Sequence, residues 1–152
     1  MHNSEEKYVT AIFPRTTTAS TAVNGNIVTT AVSGGNTNGG INTRGFRRLV
    51  AVVQAGAIAT NGGLNVKLQS SSDEAASDSY ADISGAAIVA LGDTSDGAAP
   101  SIEIGLDGSE QYIRAVGTPL TTDSAAWSVL FILKDPINKP VTQNTAAVVV
   151  NS

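Results

Sequence analysis

The run AWSVLFILKD, residues 126 to 135, constrains the fold more than any other stretch of the chain. In an extended backbone Trp127, Val129, Phe131 and Leu133 lie on one side, and Leu130 and Ile132 on the other. A strand that is apolar on both faces needs a cover on each side. It is therefore expected at the centre of a sheet, under a second sheet or against a neighbouring subunit. Asp135-Pro136 ends it, because proline removes a backbone donor and restricts the residue before it.

The remaining apolar segments also read as strands. Phe46 to Ile58 is nearly continuous, with Val50, Val52 and Val53 at its centre. Leu64, Val66 and Leu68 alternate with Asn65, Lys67 and Gln69, the signature of a half-buried strand. Between these two runs, Asn61-Gly62-Gly63 offers the positive φ values of a tight reversal, which predicts an antiparallel hairpin. Ile102, Ile104 and Leu106 alternate in the same way before an Asp107-Gly108 turn, and QYIRAV follows with Tyr112, Arg114 and Val116 on one face and Ile113 and Ala115 on the other. That pattern predicts a second hairpin. The string SGAAIVAL at 84 to 91 fits either a strand or one or two helical turns, and Asn24-Gly25 marks either a hairpin or a bulge within one strand.

Asn24-Gly25, Asn61-Gly62, Asp107-Gly108 and Thr118-Pro119 punctuate seven to eight strands, with no long helix and no internal repeat. The expected fold is all-β: an antiparallel, jelly-roll-like β-sandwich spanning residues 21–135. At 152 residues the chain suits one such domain with a core of its own. Extended arms flank it, residues 1–20 at the N-terminus and 136–152 at the C-terminus. Pro14 holds Phe13 out of helical geometry, and Pro136 and Pro140 keep the last strand from continuing. The first segment is expected to be extended, lying at a sheet edge or running as an arm, with Tyr8, Ile12 and Phe13 as its candidate partner or subunit contacts. Val148, Val149 and Val150 in the second arm are too apolar to be left in water and are expected to dock on a partner or another subunit. Strand addition to a sheet edge is the expected mode for the valines.

Little catalytic chemistry is available. The single histidine is His2, beside the initiating methionine, and cysteine is absent, so no Ser-His-Asp or Cys-His arrangement, zinc knuckle or disulfide scaffold can be assembled. Lys67 and Lys134 sit at an alternating polar position and at a strand end, where a solubilising or ion-pairing role is expected. Asp73, Glu74, Asp78, Asp82, Asp93 and Asp96 are expected as turn residues, since calcium-loop spacing and a closing glutamate are missing and the aromatics of a sugar cleft are few. The glycine- and asparagine-rich loop 33–45 lacks the Lys-Ser/Thr and helix of a phosphate-binding loop. No catalytic residue, cofactor or metal is expected. A net charge of −4 gives nucleic-acid binding little to work with, and neither a membrane-spanning run nor a signal core is present. Only 14% of residues are charged, against roughly 25% in typical domains, which suits a surface that touches neighbours widely.

The segments GFRRLVAVVQAGAI, LNVKLQSSSDEAASDSYADISGAAIVAL and SIEIGLDGSEQYIRAV together resemble the small β-rich virion proteins of tailed bacteriophages, in particular capsid decoration or cement proteins. The resemblance covers residues 44 to 135. Its cadence is an apolar strand closing on a Gly56-Ala57 turn, an alternating strand ending at Gln69-Ser70-Ser71, then Tyr80-Ala81-Asp82-Ile83 with Gly85-Ala86, and finally Tyr112 to Val116. It implies a structural role on the virion's capsid surface, after assembly in the host cytoplasm. The partner would be the major capsid protein, whose neighbouring subunits the protein would bridge as a homo-oligomer, a dimer or a trimer. The alternatives are a tail or neck structural protein, or a carbohydrate-binding β-sandwich using Trp127, Tyr80 or Tyr112 as a stacking platform with calcium at the acidic loops. Trp127 alternates with core residues and is expected to be buried.

Overall fold

A computed structural model describes residues 6–10, 15–17, 27–28, 40–73, 77–107, 111–120 and 125–138, the first three ranges as strand backbone. The fold is all-β. The strands in chain order are β1 (Glu6–Thr10), β2 (Arg15–Thr17), β3 (Ile27–Val28), β4 (Ile41–Asn42), β5 (Phe46–Ile58), β6 (Gly63–Ser71), β7 (Ala81–Gly92), β8 (Ser101–Gly105), β9 (Tyr112–Pro119) and β10 (Ala125–Pro136). One 3-10 turn, Asp93–Ser95, interrupts them, and the described residues contain no α-helix. The SGAAIVAL string is thus strand, part of β7.

Two antiparallel sheets form. In one, the order is β1-β10-β5-β8, with β2 beside β1 on the same flank of β10; in the other it is β3-β9-β6-β7, with β4 beside β3 on the same flank of β9. One hydrophobic core lies between the sheets. The first contributes Leu49, Val53, Trp127, Val129, Phe131 and Leu133, and the second Leu64, Val66, Leu68, Leu91 and Ile113. Burial alternates along each strand as the sequence pattern requires: Leu64, Val66 and Leu68 are fully buried while Asn65, Lys67 and Gln69 are half-buried. Each large side chain buried this way stabilises the fold by about 1.5–3 kcal/mol relative to exposure. The strand β10 is internal, with β5 on one flank and β1 and β2 on the other; its inner residues pack in the core, and Leu130 and Ile132 stay half-buried outside.

Both expected hairpins are corrected. β5 pairs with β10 and β8, not β6, and β6 pairs with β7 and β9. Likewise β8 belongs to the first sheet and β9 to the second. At both places the chain crosses the roughly 10 Å between sheets instead of the 4.8 Å between paired strands. The physical reason is burial: β5 and β6 each have one strongly apolar face, and crossing lets these faces meet across the core. At the first crossing Asn61 takes a positive φ of 64°, and the Gly62 amide donates to the Ala59 carbonyl. Gly62 is needed for close approach, since a Cβ there would stand 2.7 Å from that carbonyl oxygen. The hairpin that does form joins β6 to β7 through the Ser/Asp-rich loop.

Gly56-Ala57 is likewise no turn. It lies within β5 as a bulge, where the register slips between the pairs Ala125–Ile58 and Trp127–Ala55. Beyond the bulge the first sheet is tied to the 3-10 turn: Asp96 Oδ1 accepts the Ile58 amide at 2.8 Å, and the Gly97 and Ala55 amides donate to the carbonyls of Ala55 and Ala98. Replacing Asp96 with alanine leaves the partly buried Ile58 amide without its acceptor. A loss of about 1–2 kcal/mol in urea unfolding is expected, and a change under about 0.3 kcal/mol would mean that water substitutes fully.

Candidate interaction surface

The chemistry-bearing side chains are spread over two outer faces and one edge. On the outer face of the second sheet the register sets Lys67, Gln69, Asp82 and Arg114 on adjacent strands. Lys67 Nζ donates to Asp82 Oδ2 at 2.8 Å and Gln69 Nε2 to Asp82 Oδ1 at 2.7 Å. Arg114 donates to Gln69 Oε1 from Nε at 2.9 Å and from an Nη at 2.7 Å, and its guanidinium lies 4.0 Å from the centre of the Tyr80 ring. Burial pulls the Arg114 pKa down, opposed by the Tyr80 charge. These links join Lys67, Asp82, Gln69, Arg114 and Tyr80 into one polar surface network.

The hydrogen bond from Lys67, and then that from Gln69, hold the Asp82 carboxyl below its usual range. A depressed carboxylate adds stability above its unfolded pKa and loses it as pH falls through the folded value. The stability gap between the wild type and Asp82→Asn is therefore expected to shrink to nothing as pH drops below the ordinary aspartate range, read from melting temperatures at pH 7, 4 and 2.5. The effect is small because the Asp82 side chain is 57% exposed. A gap that widens in acid would refute the assignment.

Asp73 and Asp78 of the acidic loop turn their carboxylates onto the loop's own backbone. Asp73 accepts the Ser77 and Asp78 amides at 2.7 and 3.0 Å, and Asp78 accepts the Ser72 amide at 2.8 Å. The buried Ser71 hydroxyl donates to the Asp78 carbonyl at 2.7 Å. These are the turn roles expected of Asp73 and Asp78. Among the described residues no three acidic or histidine side chains gather as a metal-binding group. Among these residues, too, no helix is long and apolar enough to cross a membrane.

The first sheet is different. Its outer face carries two aliphatic cross-strand pairs, Val50 opposite Ile132 and Val52 opposite Leu130, all half-buried. One row further, Arg48 joins Glu103 at 2.7 Å and also Asp135. The Asp135 hydrogen bond, then its charge, push the Arg48 pKa up. Asp135 itself has a φ of 53°, so the ion pair secures a strained residue where the last strand leaves the sheet. Sequence patterning missed this trio, because its members lie 55 and 87 positions apart.

Of the expected contact residues, Tyr8 lies in β1, in register opposite Ile132. Ile12, Phe13, Val148, Val149 and Val150 lie outside the described residues, as does His2. Trp127 is 1% exposed, as its alternation requires, and so offers no stacking platform. Tyr80 and Tyr112 are half-buried, and one face of Tyr80 is occupied by Arg114. No family model, no curated protein and no solved structure matches the chain.

Proposed function

We propose that the chain is a structural virion protein of a tailed bacteriophage that sits on the outside of the capsid and bridges neighbouring copies of the major capsid protein. The observation that carries this reading is the order of strand pairing. If β1 with β2, and β3 with β4, are each counted as one interrupted strand, the chain has eight strand positions. The first pairs with the eighth, the second with the seventh, the third with the sixth and the fourth with the fifth. That nesting supports a jelly roll, an architecture frequent in viral capsid proteins. The proposed role is non-catalytic, without metal or cofactor, and it acts through surfaces and arms. The polar network on one sheet and the ion-rimmed aliphatic face on the other suit repeated contact with neighbours better than capture of a small molecule. A homo-oligomer, dimer or trimer, completes the proposal, with Tyr8, Ile12, Phe13 and Val148 to Val150 as bridging contacts.

The test is co-sedimentation with purified capsid shells that lack the protein, followed by heating of the decorated shells. Saturable binding at a fixed ratio to the capsid protein, with shells surviving higher temperature, is expected. Shells that bind nothing, alongside binding to tail tubes or glycans, would overturn the proposal in favour of a tail component or a carbohydrate-binding module.

A further inference from the structure

We propose that the β8 edge accepts an added strand, Ala146 to Val150, from a second copy of this chain. The inference rests on the reading of residues 136–152 as a bridging arm.

The phase of the β5–β8 ladder determines which backbone groups face outward. The Leu106 amide donates to the Arg47 carbonyl, and the Val53 and Ala55 amides donate to Pro100 and Ala98. Even-numbered residues of this segment therefore bond to β5. Ser101 and Glu103 turn their N–H and C=O groups the other way. Among the described residues no further strand pairs with β8 and nothing meets the outward groups of Ser101 and Glu103, whereas Gly105, the next outward residue, has an interaction of its own. The open part of the edge is therefore Ser101 to Glu103. The register is unbroken over all five residues.

The neighbouring edge strand, β7, is built to resist such pairing. Gly85 and Ala90 have φ values of 76° and 57°, and the register slips twice. Between the pairs Gln69–Asp82 and Lys67–Ala87, four residues of β7 stand opposite Leu68 alone. Bulges of this kind break the row of groups that a new strand would need. The contrast leaves β8 as the regular edge of the pair.

The occupant follows from sequence and reach. Residues 141 to 152 contain no charged side chain, and Ala146 to Val150 is rich in β-branched residues. A strand laid on β8 puts alternate side chains in the row of Ile102 and Ile104, which pack on the core, so valine fits there. The described chain ends at Asn138, ten residues before Val148, which spans at most ~33–36 Å when extended. That span lets the valines leave the sheet that β10 completes, and the reading of residues 136–152 as a bridging arm makes a second copy their acceptor.

Amide hydrogen exchange on the full chain tests this. Protection of the Ser101 and Glu103 amides should rise at least tenfold between dilute and concentrated protein, in parallel with self-association by sedimentation equilibrium. Ser101→Pro removes an outward amide without touching the β5 ladder, whereas Ser101→Ala keeps it. Weakening of self-association by tenfold or more in S101P and not in S101A is expected. Val149→Asp should do the same from the other side, in a protein whose edge is unaltered. Fast exchange at every concentration, protection independent of concentration, or unchanged association in both S101P and V149D would overturn the inference. Shell binding separates it from the functional proposal: association through β8 without shell binding refutes only the capsid role, and shell binding with an open β8 edge refutes only the strand addition.

Discussion

Gly117→Ala is expected to lower stability by about 3 kcal/mol, the upper end of the range for forcing extra volume into a packed core. Gly117 is buried in β9, opposite Val66, with the indole of Trp127 lying against it from the other sheet. A Cβ at this position would stand 2.3 Å from Cζ2 and 2.5 Å from Cε2 of that ring, where no real contact is tolerated. The ring is itself fully buried and has no open side to move into. The cause can be isolated with a double-mutant cycle. Phenylalanine at position 127 lacks the fused-ring atoms that meet Cβ, so in a Trp127→Phe background the same glycine substitution should cost under about 1 kcal/mol. Equal costs in the two backgrounds, measured by urea unfolding, would show that the indole is not responsible. Trp127→Phe should also cost less than its lost volume suggests. The indole N–H is buried and finds no acceptor among the described residues, and its removal relieves that penalty.

The second large effect separates the two faces of β10. Phe131→Ala should lose about 3–5 kcal/mol, because the ring is fully buried and the sheets on either side can close the space only in part. Ile132→Ala, one residue on, should lose about 1 kcal/mol, because its side chain is half-buried on the outer face beside Val50. The difference, read from urea midpoints at constant m-value, reports the cover on each side of the strand. Equal losses would mean that the Val50–Ile132 face is as well covered as the core.

Strand positions and inward faces were legible from residue order because they depend on local periodicity. The limits of β5 coincide with the apolar run from Phe46 to Ile58, and the alternations at Leu64–Leu68 and Trp127–Leu133 point inward as they read. Pairing was not legible. Asn61-Gly62 and Asp107-Gly108 encode a reversal of direction, yet a reversal serves equally to join neighbours in one sheet or to cross between two. The choice is made by faces that meet only after the whole sandwich has closed. The contact between Gly117 and Trp127 did leave a trace, since a lone glycine within an otherwise strand-like run marks a close approach. Nothing local identified its partner. The Arg48–Glu103–Asp135 trio and the outward groups of Ser101 and Glu103 depend on pairing, and so were hidden for the same reason. Of the side chains expected to make partner contacts, only Tyr8 falls on a described strand.

The nested pairing also governs how the protein must be made. Glu6 stands opposite Lys134, and Leu49 opposite Leu133, so the first sheet depends on partners more than 80 residues apart. While the chain is emerging from a ribosome, β5 has no β10 to lie against, and Val50 to Val53 wait in the open until the final strand arrives. Contacts of such long range slow folding and prolong the period in which an unfinished sheet can pair wrongly. Truncation before Ala125 should therefore yield an aggregating product with no folded remnant. The folding of each copy is timed by the emergence of β10.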